Sequence, residues 1–148
     1  MCGVIGIVSQ GKKSVLPSLL KGVELLQSRG YDGTGVAVLD GKLHVMKSEG
    51  KLSNLLQKLD KSVVGSVGIA HNRWATHGEA TDQNAHPHVS MDGNVAVAHN
   101  GIIDNYRSLK AMLSQEGCTF VSETDSEVIP NLIVRALRDG APDFASAV

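Results

Sequence analysis

The 148-residue sequence predicts a layered α+β or α/β sandwich in preference to a doubly wound sheet. Short β-branched runs and helical patterns are interleaved along the whole chain, and their order includes a hairpin that a pure βαβ series would lack. The balance of 42% hydrophobic and 20% charged residues suits one globular domain of this length.

The elements follow in order. VIGIV at 4–8 is short, β-branched and nearly all apolar, which predicts a buried strand ended by Gly11. Across 14–27, Val15, Leu16, Leu19, Leu20, Val23 and Leu26 recur at helical spacing. Ser14 is the expected N-cap, Pro17 falls in the tolerant first turn, and Gly30 is placed to end the helix. GVAVL at 35–39, Asp40-Gly41 and 42–46 predict a β-hairpin with an Asp-Gly turn. Leu52, Leu55, Leu56 and Leu59 predict a second helix, and 63–71 a further strand. Residues 72–93 are polar and rich in His, Thr and Asn, a long loop of the kind that usually carries function. Strand character resumes at 95–98. Tyr106, Leu109, Met112 and Leu113 predict a third helix closed by Gly117, and 119–121 a short strand. Thr124 with Glu127 reads as a capping box for a helix holding Val128, Ile129, Leu132 and Ile133, in which Pro130 should produce a kink. Ala141-Pro142-Asp143 reads as a new helix start.

Composition excludes several function classes. Fourteen basic residues against fifteen acidic ones give a net charge of −1, so a nucleic-acid binder working through a basic face is not expected. Aromatics at 3% argue against a stacking platform for single strands. No apolar run approaches the ~18 residues of a membrane span, and the N-terminus lacks the basic start of a signal peptide. Cys2 and Cys118 are the two cysteines, too few for a disulfide framework, which points to a reducing, cytoplasmic setting.

Four short stretches contain residues suited to chemistry. Cys2 follows Met1, and removal of Met1 would leave a thiol and an α-amine on one residue. Both groups titrate near neutrality, so the amine could accept the thiol proton and later return it to a leaving group. By position alone, the plainer reading is a small residue behind a start codon. The run His71-Asn72-Arg73-Trp74-Ala75-Thr76-His77-Gly78 leaves a strand and enters the polar loop. Its arginine fork suits a carboxylate; the plainer reading is a surface arginine beside a core tryptophan. His99-Asn100-Gly101 sets a side-chain amide beside a backbone N–H, donors suited to an oxyanion, although Asn-Gly is also a common turn. Ser122-Glu123-Thr124-Asp125 offers acids that could hold an ammonium group or cap a helix. His86-Pro87-His88 has the look of a metal pair, but neither helical i, i+4 pairs nor Cys/His clusters accompany it, so no metal and no cofactor are assigned.

Taken together, MCGVIGIV, SRGYDGTG (28–35), HNRWATHGEAT (71–81), NAHPHVS (84–90), HNGIIDN (99–105) and TFVSETDSEVI (119–129) resemble, in order, the motifs of class II glutamine amidotransferases. Within that class they are most similar to the glutaminase domain of the glutamine–fructose-6-phosphate aminotransferases. The resemblance implies the N-terminal nucleophile fold, a four-layer αββα sandwich of the α+β class. It implies attack of a processed Cys2 thiol on the side-chain amide of L-glutamine, loss of ammonia, and hydrolysis of the thioester to glutamate. Asn100 and Gly101 would form the oxyanion hole. Arg73, helped by Thr76 and His77, would hold the substrate α-carboxylate, and Asp125 its α-ammonium. Trp74 would belong to the closing loop, and Arg29 would support the nucleophile.

The Arg73-Trp74-Ala75-Thr76 version of the loop favours this branch over the amidophosphoribosyltransferases, which show Arg-Tyr-Ser-Thr. That branch is the alternative, and a non-catalytic glutamine-binding module with Met1 retained is a second one. Gly33-Thr34 stands where the family often has Ser-Ala, which should change packing locally without loss of chemistry. Residues 1–148 would be part of an amidotransferase type-2 domain, incomplete at its C-terminus. The sugar-isomerase domains that take fructose 6-phosphate would be absent, the isolated piece would lose activity, and the parent would be a homo-oligomer.

Overall fold

The first apolar run forms strand β1 (Gly3–Val8) in a computed structural model that describes residues 2–11, 13–76 and 78–148. It lies at the edge of an antiparallel four-stranded sheet together with β2 (Gly33–Asp40), β3 (Lys42–Glu49) and β4 (Val67–Arg73), in the order β1-β4-β2-β3. The hairpin β2–β3 turns at Gly41, whose φ of 66° lies in the left-handed region that glycine adopts without strain. Side chains alternate across the sheet. Val36, Val38 and Ala70 point to one face and pack with Val15, Leu19 and Val23 of helix α1 (Leu16–Leu25) and Leu52 and Leu55 of α2 (Leu52–Lys58). Leu19 and Leu55 are fully buried, and each contributes about 1.5–3 kcal/mol through apolar area removed from water.

The opposite face carries the second half of the molecule. A two-stranded sheet, β5 (His88–Val89) with β6 (Ala96–Val97), lies across it, and an apolar groove lined by Leu39, Val67 and Ile69 on one side and Val95 and Ala96 on the other runs between the sheets. Helix α4 (Val128–Arg138) packs on β5 and β6 and against α3 (Tyr106–Gln115). The layers therefore run helix, sheet, sheet, helix, the order implied by the resemblance. The chain closes with α5 (Phe144–Ala147), where the Asp143 carboxylate accepts the Ser146 N–H at 2.7 Å. No helix among the described residues is long and apolar enough to cross a membrane.

Several local expectations are corrected. Helix α1 begins at Leu16 with Val15 as N-cap, because Val15 is drawn into the core and its N–H donates to the Gly65 carbonyl at 2.9 Å. A 3-10 turn, Gln27–Arg29, separates the helix from Gly30. The strand expected at 63–71 starts later, at Val67, and runs on to Arg73. Pro130 falls in the first turn of α4, where its missing N–H breaks no helical bond, so the cause of a kink is absent.

Residues 119–121 form no strand, and the Thr124/Glu127 capping box does not form. One interaction explains both. The buried Glu127 carboxylate turns away from its own helix and accepts the Val121 N–H at 2.9 Å, the Ser122 N–H at 2.7 Å and the Ser122 hydroxyl at 2.5 Å. The backbone of 121–122 is satisfied by a side chain and needs no strand partner. Glu127→Ala removes the acceptor of the two buried Ser122 donors, and the expected loss is about 2–6 kcal/mol at a cost of roughly 1–3 kcal/mol per buried group. A urea midpoint indistinguishable from the parent protein would contradict this account.

Candidate active site

The register of the edge strand builds the site. Gly3 pairs with Asn72, so the residue before Gly3 meets the chain as it leaves β4. The Trp74 N–H donates to the Cys2 Sγ at 3.1 Å, and Sγ lies 3.5 Å from the Trp74 carbonyl. Alternation along β4 then sorts the motif residues. Asn72 faces the helix layer and donates from Nδ2 to the Val23 carbonyl at 2.7 Å. His71 and Arg73 face the second sheet, and both are buried.

The segment after β6 delivers the next group. Asn100 Nδ2 donates to the Cys2 carbonyl at 3.3 Å, and Asn100 Oδ1 lies 2.8 Å from His71 Nε2. Gly101 follows, and a Cβ there would come within 2.7 Å of His99 Nε2, so only glycine fits beside that ring as it stands. Asp125, just before α4, is 4% exposed; its carboxylate accepts the Ile103 N–H at 2.7 Å and the Ser126 hydroxyl at 3.2 Å. A cavity of about 320 Å³ opens between these groups, lined by Cys2, Arg73, Trp74, Thr76, Asn100, Gly101 and Asp125, with His86, His99, Thr124 and Ser126 among its other walls.

Seven of the nine residues named from the sequence thus share one cavity. His77 lies outside the described residues. Arg29 is exposed on the 3-10 turn and does not line the cavity. Asp32, three residues further along the same motif, is the one that reaches the site, and its carboxylate accepts the Ala75 N–H at 2.9 Å. The tandem SRGYDGTG pattern marked the segment but not which side chain faces inward.

The polar loop between β4 and β5 is pinned at many points. Arg73 donates from Nη1 to the Glu79 carbonyl at 2.8 Å and from Nη2 to the Gly78 carbonyl at 3.0 Å. Lys47 donates to the Gln83 and Ala85 carbonyls, both at 2.9 Å, and Asn84 Nδ2 donates to the Glu79 carbonyl at 3.1 Å and to Glu123 Oε2 at 3.0 Å. The loop lies so close to β2 that a Cβ at Gly35 would meet the His86 carbonyl oxygen at 2.1 Å. Thr34, at the altered Gly33-Thr34 pair, is buried and donates to the Gly50 carbonyl at 3.0 Å.

Three histidines pack together beside the cavity, and His86 forms part of its wall. The His71 and His86 rings stack at 4.3 Å, and His86 meets His88 edge-on at 4.4 Å. His88 Nε2 lies 2.8 Å from Thr124 Oγ1, which lies 3.0 Å from Ser122 Oγ. Ser122 gives its hydroxyl proton to Glu127, so Thr124 donates to Ser122 and His88 donates to Thr124. Burial holds all three imidazoles neutral. It lowers His71 to about 4 against the favourable hydrogen bond to Asn100, and lowers His88 to about 3 with help from the Lys47 charge. His86 is pushed below its ordinary value by burial and then by its two histidine neighbours. Burial also lowers the Arg73 guanidinium, while Asp32, Cys2 and Glu123 oppose that effect. Among the described residues no group of three His, Cys, Asp or Glu side chains is arranged around a common metal position.

A fold of this layer order, with Cys2, an Asn-Gly pair, a buried arginine and a buried aspartate around one cavity, fits the amidotransferase class. The chain belongs to the glutamine amidotransferase domain family, whose pattern matches residues 58–144. It is 51% identical to the glutamine–fructose-6-phosphate aminotransferase (isomerizing) of Clostridium acetobutylicum over 90% of this chain and 22% of that protein. It is 49% identical to the enzyme of the same name from Chlorobaculum tepidum, over 100% of this chain and 25% of that protein. Among solved structures it is similar to glutamine phosphoribosylpyrophosphate amidotransferase from B. subtilis, with a TM-score of 0.79 and 30% identity, covering 99% of this chain and 31% of that one. The chain therefore spans about a quarter of the length of the curated relatives it matches.

The neutral histidines make stability depend on pH in a defined direction. Unfolded, each binds a proton near 6.5; folded, it does not until far lower pH, so the unfolded state binds more protons in between and stability falls as pH falls. At pH 5 the expected loss is about 2 kcal/mol for each such histidine. Melting temperature should drop steeply between pH 6.5 and pH 4.5. The shifted carboxylates Asp60, Asp82, Asp92 and Asp143 lie below 3.8 and act only at lower pH. A flat melting profile across that window would show that the imidazoles titrate freely in the fold.

Proposed function

We propose that this chain hydrolyses the side-chain amide of L-glutamine, as the glutaminase segment of a longer enzyme that passes the ammonia to fructose 6-phosphate. The carrying observation is the joint lining of one cavity by Cys2, Asn100, Gly101, Arg73 and Asp125. The substrate is a zwitterion bearing an amide, and those residues offer a nucleophile, an oxyanion site, a cation and an anion at once.

In this reading, removal of Met1 frees the Cys2 α-amine, which takes the thiol proton as Sγ attacks the amide carbon. Charge develops on the amide oxygen, and the Asn100 Nδ2–H and Gly101 N–H receive it. The intermediate collapses with the proton returned to nitrogen, ammonia departs, and water cleaves the thioester to give glutamate and the free thiol. Arg73 and Asp125 hold the α-carboxylate and α-ammonium, Thr76 and His77 assist, and Trp74 borders the entrance. Arg29, exposed and outside the cavity wall, supports the nucleophile only at a distance in this scheme.

Identities near 50% to aminotransferases named for fructose 6-phosphate support the acceptor, and their greater length supports reading 1–148 as part of a larger protein. The similarity to the B. subtilis phosphoribosylpyrophosphate enzyme favours a second reading, in which the acceptor is that sugar phosphate. Assaying the whole gene product with fructose 6-phosphate and with phosphoribosyl pyrophosphate separates the two, and only the first should accept nitrogen.

Mutational outcomes are specific. Cys2→Ala should abolish glutamate release while glutamine still binds by calorimetry. Asn100→Ala should lower kcat about 10²–10³-fold with a smaller effect on KM. Arg73→Lys should raise KM, because an ammonium does not reproduce a forked contact, and should also lower the melting temperature by releasing Gly78 and Glu79. Intact mass should show a mature N-terminus beginning at Cys2. An active protein that keeps Met1 would overturn the amine's role.

A further inference from the structure

The buried face of β4 carries a group that the scheme above does not use. His71 is 1% exposed on a strand paired on both sides, with Val4 of β1 and Gly35 of β2 as its cross-strand neighbours. Its ring is clamped by the His86 stack, which in turn is braced by His88. Its Nε2 lies 2.8 Å from Asn100 Oδ1, and its Nδ1 is buried with no hydrogen-bond partner among the described residues.

The chemistry of these atoms decides the direction of the bond. An amide oxygen only accepts, so Nε2 carries the proton and donates. Nδ1 is then a bare lone pair, the form of an unpartnered buried atom that proteins tolerate better than an orphaned N–H. At the other end of the same side chain, Asn100 Nδ2 donates to the Cys2 carbonyl at 3.3 Å. The amide is held by its oxygen and by one N–H, which fixes its plane and leaves the nitrogen end toward the cavity that Asn100 lines. Turning the amide over would set its oxygen against the Cys2 carbonyl and its NH₂ against the His71 N–H, two repulsive contacts in place of two attractive ones.

We infer that His71 is a positioning residue for the oxyanion hole: its Nε2–H tautomer, held by the stacked imidazoles, sets the orientation in which Asn100 presents its N–H to the developing charge. The inference rests on the proposed glutaminase reading for its kinetic consequence, but the tautomer and the amide orientation are properties of the unliganded protein. Burial keeps the ring neutral, so that one nitrogen donates and the other is bare.

The test uses two substitutions that differ in reach. The Gln side-chain nitrogen extends to about the place of the ring Nε2 and retains a donor there; the Asn nitrogen stops near the place of Nδ1. In the whole gene product, His71→Asn should lower kcat for glutamine hydrolysis at least about 10-fold with KM little changed, and His71→Gln should restore most of it. In the Asn100→Ala background, His71→Asn should cause little further loss, because the two act as one unit. Equal effects of Asn and Gln, a change in KM alone, or losses that multiply with Asn100→Ala would each overturn the inference.

A second measurement needs no turnover. Nitrogen-15 spectra of the wild-type protein, assigned by loss of signal in His71→Gln, should show His71 Nε2 protonated and Nδ1 bare, and the Asn100 side-chain amide signals should move in His71→Asn more than in His71→Gln. A protonated Nδ1 with a bare Nε2 overturns the inference even if a variant fails to fold. If the wild-type protein releases no glutamate while the spectra show the expected tautomer, the glutaminase reading falls and the positioning of Asn100 stands.

Discussion

The pairing of β1 with β4 is the interaction on which the site depends. Gly3 opposite Asn72 fixes where Cys2 lies, and Cys2 has no other means of reaching the cavity, since it precedes every element of the fold. A slip of one residue would turn His71 and Arg73 toward the helix layer and Asn72 toward the cavity, because alternate side chains point to opposite faces. The apolar partners of that register, Ala70 against α1 and Ile5 and Ile7 of β1 beside it, are what specify it. The core that holds the fold together and the alignment of the nucleophile are therefore one constraint. A hydrophobic pattern on one face of the sheet determines a polar constellation on the other.

That polar face is unusual in how fully its groups are committed to one another. The sequence of 72–93 reads as a long functional loop, and its backbone carbonyls are taken by Arg73, Lys47 and Asn84, while Asp82 accepts the Glu49 N–H at 2.8 Å. Below it, the hydrogen bonds from His88 through Thr124 and Ser122 end on Glu127. Buried polar groups are costly unless satisfied, and a network in which each member has its partner defines a single arrangement. The site gains rigidity from that arrangement, because the groups that would have to move to blur it are the ones that would lose their bonds.

Local patterns were legible where the deciding forces were local. The hairpin β2–β3, helices α2 and α3 and strand β1 follow from periodicity and turn chemistry over a few residues. The motifs named seven cavity residues because each stretch brings its chemistry with it. Outcomes decided by distant partners were not legible. Glu127 is suited in sequence to capping its own helix, and only the approach of 121–122 in three dimensions gives it better donors. His86-Pro87-His88 resembles a metal pair until β4 supplies His71, at which point the rings stack on one another. Arg29 and Asp32 share a motif, and a 3-10 turn, invisible to hydrophobic spacing, sends the first outward while the second holds Ala75.

Arg73 shows why such a site works better built than flexible. Its guanidinium is out of water, which alone would weaken the charged form, and the carboxylates of Asp32 and Glu123 offset that effect. In a medium of low polarizability each of those interactions is stronger than it would be at the surface, and in the proposed scheme the same would hold for its contact with the substrate carboxylate. The fork is also bonded to the carbonyls of Gly78 and Glu79, so its orientation is set before a substrate arrives. The reorganisation that a solvated arginine would undergo on binding has already been completed by folding. The same logic joins Arg73 to the amide of Asn100 across the cavity: each is a charged or dipolar group whose direction is imposed by its protein neighbours. The arrangement of side chains around the cavity is thus a product of the polar packing behind it.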